Sequence, residues 1–270
     1  MRPAAFEFLR PRTIDEALTA IGRGAQPLAG GQSLIAAMRL REAEPAALVD
    51  LEAIDALDGD IRCEAQHLHI GARVTHRMLA EHTAVAEEWP WLGDAARQLG
   101  DVQVRNLGTA LGNVCWADPR ANMAVALLAS DASVIAAGPD GARERIGLGE
   151  FFTGFRRNAL GHRLAIGLIV PRHAGARGAY VEFSRQRQDL ALINVCVVRQ
   201  GELMRIAVGG IADVPVRLQA VEDAGVVALD SRLTADHYTP IADQHGDIEY
   251  KLHLARVLVR RALMASGARV

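Results

Sequence analysis

Ala29-Gly30-Gly31-Gln32-Ser33 has a counterpart eighty positions later, Thr109-Ala110-Leu111-Gly112-Asn113, which is followed closely by Asp118-Pro119. Each segment stands where an apolar, strand-like stretch gives way to a helical pattern. Small residues let the backbone come close to a ligand, and glycine also tolerates positive φ. A strand-to-helix junction leaves backbone N–H groups unpartnered beside the positive end of a helix dipole, which suits an anion. Two such junctions in one chain predict a diphosphate gripped from both sides, and hence a dinucleotide cofactor. The plainer reading makes Gly30-Gly31 a tight turn and Ser33 an N-cap.

Around these segments helical and strand patterns alternate. Thr13-Ile14-Asp15-Glu16 reads as an N-cap with a capping box, starting a helix to about Ile21. Residues 26–29 and 48–51 read as strands, 34–40 as helix or tight turn, and 67–72 as a half-buried strand. Thr75 should cap a helix over 76–82, with further helices over 90–99 and 121–129. Asp118-Pro119 reads as an N-cap with proline at the first helical position, and its side chain as a group able to reach ribityl or ribose hydroxyls. Strands follow over 134–136 and 164–170, with Pro139-Asp140-Gly141 as a hairpin turn. Beyond a linker at 172–177 the composition shifts. Residues 180–185, 190–199 and 203–209 form an antiparallel meander, and helices cover 214–224 and 247–265. The fold class is α+β, with a cofactor part over 1–171 and a smaller sheet-and-helix domain over 172–270.

The bulk properties narrow the function. The chain has 270 residues, 50% of them apolar, enough for a large core divided into two or three subdomains. A net charge of −2 and no basic stripe speak against a nucleic-acid partner. Lys251 is the only lysine. Cys63, Cys115 and Cys196 fit no zinc spacing, and an iron–sulfur cluster would need a fourth ligand. Without a disulfide framework, an apolar leader or an apolar run of spanning length, the chain is expected to be cytoplasmic with no membrane span. No GxGxxG, GxSxG or HExxH pattern is present, and the nine histidines are scattered, so neither a catalytic nor a metal-ligating set is predicted here.

Leu28-Ala29-Gly30-Gly31-Gln32-Ser33-Leu34 resembles the first FAD motif of the flavoprotein (medium) subunit of molybdenum hydroxylases, the carbon monoxide dehydrogenase and xanthine dehydrogenase type. Further segments agree in order and spacing: Leu48-Val49-Asp50-Leu51, Ile70-Gly71-Ala72, Val104-Arg105-Asn106-Leu107-Gly108-Thr109, Gly112-Asn113, Ala117-Asp118-Pro119, Glu150-Phe151-Phe152, Val170-Pro171 and Asp189-Leu190-Ala191. The resemblance covers nearly the whole chain. It implies a two-part FAD-binding domain of the vanillyl-alcohol-oxidase/PCMH-like type, with subdomains of about 1–52 and 53–171, before the C-terminal domain. It also implies an electron-transfer role. Substrate is oxidised at a molybdenum–pterin cofactor on a large subunit, and electrons pass through two [2Fe–2S] clusters on a small subunit to FAD here and on to an external acceptor. A dimer of such heterotrimers is the family arrangement. By position, Ala29, Gly30, Gly31, Gln32 and Ser33, with Thr109, Ala110, Leu111, Gly112 and Asn113, would hold the pyrophosphate. Asn122 takes the place of a usually acidic residue at the ribityl chain. Cys115 and Ala165 fall near positions that flank the isoalloxazine ring. Glu182 stands where a lysine near the flavin is common.

Three departures follow from that resemblance. Leu111 replaces the first glycine of the second motif, and a leucine does not readily adopt positive φ. Asn122 loses a charge. Glu182 reverses one where reduced flavin would be anionic. They motivate a second reading, a structural subunit of such a complex with weakened or lost FAD binding. A stand-alone flavin oxidase is a third, disfavoured by the missing acid–base set. Neither the partner's substrate nor the electron acceptor is specified by these motifs.

Overall fold

The computed structural model describes residues 2–268; Met1, Arg269 and Val270, at the ends of the two predicted domain ranges, lie outside the described residues. The chain first builds a small parallel sheet in the order Glu7–Leu9, Ala47–Asp50, Gln26–Leu28. Parallel neighbours need crossover connections, and helices Ile14–Gly22 and Leu34–Leu40 lie in them. Thr13 caps the first of these helices, its Oγ1 accepting from Glu16 N at 3.2 Å. The Glu16 carboxylate returns to Arg12 N at 2.7 Å, one residue earlier than in a standard capping box.

A five-stranded antiparallel sheet comes next, in the order Ile61–Cys63, His67–Gly71, Leu164–Pro171, Ser133–Ala137, Arg143–Gly147. The central strand is bulged between Ala165 and Gly167, and such a bulge re-aims the neighbouring side chains. Helices His76–Glu81, Thr83–Glu88, Pro90–Gln98, Val102–Leu107, Ala110–Trp116 and Asn122–Ala129 complete this half. Every residue of Asn122–Ala129 is buried. It has no polar face because it is shared between two domains.

The C-terminal half is a four-stranded sheet, Arg177–Phe183, Ile193–Gln200, Leu203–Gly209 and Val216–Arg217, paired antiparallel in that order. Residues 193–198 are buried throughout. The period of two explains this: Cys196 and Val198 join the core of the first half, while Ile193, Val195 and Val197 join the core under helix Ile248–Ala265. Asp247 caps that helix through Tyr250 N at 2.8 Å. Lys251 is 1% exposed, with Nζ 2.8 Å from Asp243 and donating to Ile241 O at 3.0 Å.

Three local expectations change. The second glycine segment follows a helix, Val102–Leu107, rather than a strand. Asp101 starts that helix by accepting from Val104 N at 2.8 Å. Asp118-Pro119 forms a turn closed by Ala121 N on Asp118 O at 3.0 Å, and the helix begins at Asn122. The expected helix 214–224 shrinks to Gln219–Ala224, because Val216-Arg217 pairs with Ala207 and Val208 instead.

Trp91 joins the halves. It is 1% exposed, donates from Nε1 to Ser130 Oγ at 2.8 Å, and lies flat against Gly178, where a Cβ would sit 2.7 Å from the ring atom Cδ2. Trp91→Ala should therefore lower stability by about 3–5 kcal/mol, read as a shift of the urea unfolding midpoint. A loss below about 1 kcal/mol, the range of ordinary surface changes, would show that the joint does not depend on this ring.

Candidate functional site

A cavity of about 400 Å³ lies where the two glycine segments face each other. Residues 24–34 line it on one side and 108–109 and 111–113 on another, with Ala72, His76 and 160–165 completing the lining. Gly30 packs directly on the Leu107-Gly108 backbone, and a Cβ there would overlap the Leu107 carbonyl oxygen. Gly31 has φ of 70°, open to glycine and costly for other residues.

The cavity is rich in donors. Among the described residues, the amide N–H groups of Gly30, Gly31, Gln32, Ser33 and Leu111 donate to no backbone or side-chain acceptor. Ser33 stands at the N-cap of Leu34–Leu40, yet its hydroxyl makes no capping bond. Thr109 does cap its own helix, Oγ1 accepting from Gly112 N at 3.0 Å, which leaves its O–H free. Asn113 Oδ1 accepts from Met123 N at 3.1 Å, so its carboxamide points its N–H₂ elsewhere. Gln32 folds back, Nε2 donating to Gly30 O at 2.9 Å. No aspartate or glutamate lines the cavity, and Arg163 is its one arginine. Unpartnered backbone donors are costly unless a ligand or water meets them, and this set fits a diphosphate.

The predicted site residues divide. Ala29, Gly30, Gly31, Gln32, Ser33, Thr109, Leu111, Gly112, Asn113 and Ala165 line the cavity. Ala110 is fully buried behind them. Leu111 lies in the first turn of Ala110–Trp116, is 4% exposed, and belongs to the hydrophobic core. The positive φ expected to trouble a leucine is absent there.

Asp118, Asn122 and Glu182 do not line the cavity. Asp118 is buried and accepts from Arg120 N at 3.0 Å and Arg120 Nε at 3.3 Å. Asn122 Nδ2 donates to Glu182 Oε2 at 2.8 Å and to Ala95 O at 3.3 Å. Tyr180 donates its hydroxyl to the same Glu182 oxygen at 2.8 Å. Burial raises the Glu182 carboxyl above its usual range, and the bonds from Tyr180 and Asn122 oppose that rise. The side chains at 122 and 182 thus bind each other across the domain boundary.

Several cavity residues went unnoticed in the sequence, among them His76, Asn158 and Arg163. Asn158 Nδ2 donates to Cys115 O at 2.7 Å, and burial pushes the Cys115 thiol up to about 12. His76 follows the Thr75 N-cap and carries no spacing signal. The Thr75–Thr109 bridge, with His76 N donating to Gly108 O at 3.0 Å, brings it to the site. Its ring is 2% exposed, and burial followed by the charge of Arg105 lowers its pKa from 6.5 to about 4. No metal-binding group of three or more His, Cys, Asp or Glu occurs among the described residues.

The shift at His76 has a thermodynamic consequence. Between pH 4 and 6.5 the unfolded chain protonates this imidazole and the folded chain does not. Stability is therefore full above 6.5 and falls as the pH drops toward 4, by about 1.4 kcal/mol per pH unit and about 3 kcal/mol in all from this residue. Urea titrations of the chain without ligand at pH 7 and pH 4.5 should show the loss, and His76→Phe should shrink it. An identical pH dependence in the two proteins would contradict the assignment.

Residues 4–173 match the family model described as the FAD binding domain in molybdopterin dehydrogenase, and residues 178–266 match the CO dehydrogenase flavoprotein C-terminal domain. The chain is 33% identical to the carbon monoxide dehydrogenase medium chain of Afipia carboxidovorans, over 100% of this chain and 99% of that one. It is 29% identical to the glyceraldehyde dehydrogenase medium chain of Sulfolobus acidocaldarius, over 97% and 98% of the two. A solved carbon monoxide dehydrogenase from Hydrogenophaga pseudoflava superposes with a TM-score of 0.91 at 31% identity, covering 99% of both chains. With both domain models matched in order, the chain belongs to the family of FAD-binding medium subunits of molybdenum hydroxylases, with a C-terminal domain of the CO dehydrogenase flavoprotein type.

Proposed function

We propose that this chain is the FAD-carrying electron-transfer subunit of a heterotrimeric molybdenum hydroxylase. The carrying observation is the set of unpartnered amide N–H groups at Gly30, Gly31, Gln32, Ser33 and Leu111 around one cavity. In this reading those amides, with the Ser33 and Thr109 hydroxyls and the Asn113 N–H₂, hold the diphosphate of FAD. Charge-assisted bonds of this kind are the strong ones. Ala29 and Gly112 let the backbone come close, and buried Ala110 backs the wall. Ala165 and Cys115, at the far side, would shape the surroundings of the ring. When bound, FAD supplies reversible one- and two-electron chemistry, for which the protein provides position and electrostatics.

Asp118, Asn122 and Glu182 act from behind the wall. Asn122 opens the helix whose second residue, Met123, donates its amide to Asn113. Holding Asn122 therefore orients a cavity donor. The partners are a large subunit with the molybdenum–pterin cofactor, where substrate is oxidised, and a small subunit with two [2Fe–2S] clusters, paired as a dimer of heterotrimers in the cytoplasm. Three scattered cysteines in this chain leave cluster ligation to a partner. The differing names of the relatives fit a substrate chosen outside this subunit.

The test is to purify the native complex, extract its cofactors and quantify FAD for each copy of this chain. One FAD per chain is expected, with iron and molybdenum in the partners. A fully assembled but colourless complex would instead identify a structural subunit, and substrate turnover by the isolated chain a flavin oxidase. Gly30→Val forces the segment off Leu107 and should abolish flavin retention while the C-terminal domain stays folded. Unchanged flavin content in that variant would sink the site assignment.

A further inference from the structure

We propose that His76 is a ligand-contacting residue of the cavity, donating an imidazole N–H to the diphosphate of the bound dinucleotide. The proposal rests on the FAD reading above and adds a residue that neither glycine motif contains. His76 lines the cavity and is 2% exposed. Its Nδ1 is sealed from solvent with no hydrogen-bond partner. The opposite edge of the ring packs beside Gly108, where a Cβ would sit 3.1 Å from Cδ2 and 3.4 Å from Nε2. A Cβ at Gly108 would meet the Val104 carbonyl oxygen first, at 2.8 Å, and then this ring.

A neutral imidazole holds one N–H and one lone pair. Burying the N–H without an acceptor is the costlier arrangement. The tautomer with a bare Nδ1 and a protonated Nε2 is therefore favoured, and it leaves a donor beside the Gly108-Thr109 wall. A purely structural histidine would satisfy at least one ring nitrogen within the fold. In a cavity without carboxylates, an N–H on the same lining as the unpartnered amides adds to an anion site.

The experiment uses the full chain freed of flavin, as wild type, His76→Phe and His76→Gln. FAD affinity is measured by quenching of flavin fluorescence, and thermal melting is followed without ligand. His76→Phe should bind FAD about 10- to 100-fold more weakly, the range for losing a hydrogen bond to a charged group. It should melt no lower than wild type, since the buried unpaired nitrogen is gone. His76→Gln, which keeps a donor, should recover much of the affinity. In the wild type labelled with ¹⁵N-histidine, the His76 ring signal, assigned by its absence from the variants, should move on adding FAD and also on adding inorganic pyrophosphate.

FAD affinity in His76→Phe equal to wild type would overturn the proposal. A ring signal that moves with FAD but stays fixed with pyrophosphate would also overturn it, by placing the contact elsewhere on the dinucleotide. If His76→Phe does not fold, the Gln variant and the wild-type signal decide. A folded wild-type chain that binds no FAD at all is a different failure: it removes the functional reading itself.

Discussion

The contact of Gly30 with the Leu107-Gly108 backbone is the constraint on which the site depends. It brings a loop of the small parallel sheet against a loop beside the five-stranded sheet. Neither side has a side chain between the two backbones. Any Cβ at position 30 would overlap the Leu107 carbonyl and force one of the two loops to shift. The cavity therefore exists because two subdomains touch through bare main chain. That same bareness leaves amide N–H groups at its edge with nothing in the protein to bond.

Helix Asn122–Ala129 carries that constraint into the rest of the molecule. It is buried on all sides, between the helices of the first half and strand Ile193–Gln200 of the second. Its first turn is tied in two directions: Met123 N to Asn113 at the cavity and Asn122 to Glu182 on the C-terminal sheet. One turn of helix thus links the C-terminal sheet to Asn113. Glu182 is held only by neutral donors, Asn122 and Tyr180. An acid at 122 would face this carboxylate at hydrogen-bond distance and repel it. The residues at 122 and 182 are thus compatible with each other as a neutral donor and a carboxylate acceptor.

Much of the fold was legible because its elements have local signals. Thr13 and Thr75 announce their helices as caps, and the C-terminal strands show their period of two. The first glycine segment was legible for the same reason: a strand, a glycine pair and a helix are contiguous. The second was misread in detail, since Val102–Leu107 is a six-residue helix with too few apolar positions to reveal a period. Leu111 looked like a defect under the assumption that its position needs positive φ. In the structure that position is a helical turn, and the leucine packs into the core.

His76 and Arg163 were invisible for a different cause. His76 reaches the cavity by tertiary pairing through the Thr75–Thr109 bridge, and Arg163 by preceding the strand that carries Ala165. The resulting donor set says what the chain does and leaves undone. Amides, hydroxyls, the carboxamides of Gln32, Asn113 and Asn158, the His76 imidazole and the Arg163 guanidinium surround the cavity, with no carboxylate among them. Both thiols in contact with the core, Cys115 and Cys196, are held protonated by burial, and a protonated thiol is a poor nucleophile. Such a lining binds and positions an anionic ligand.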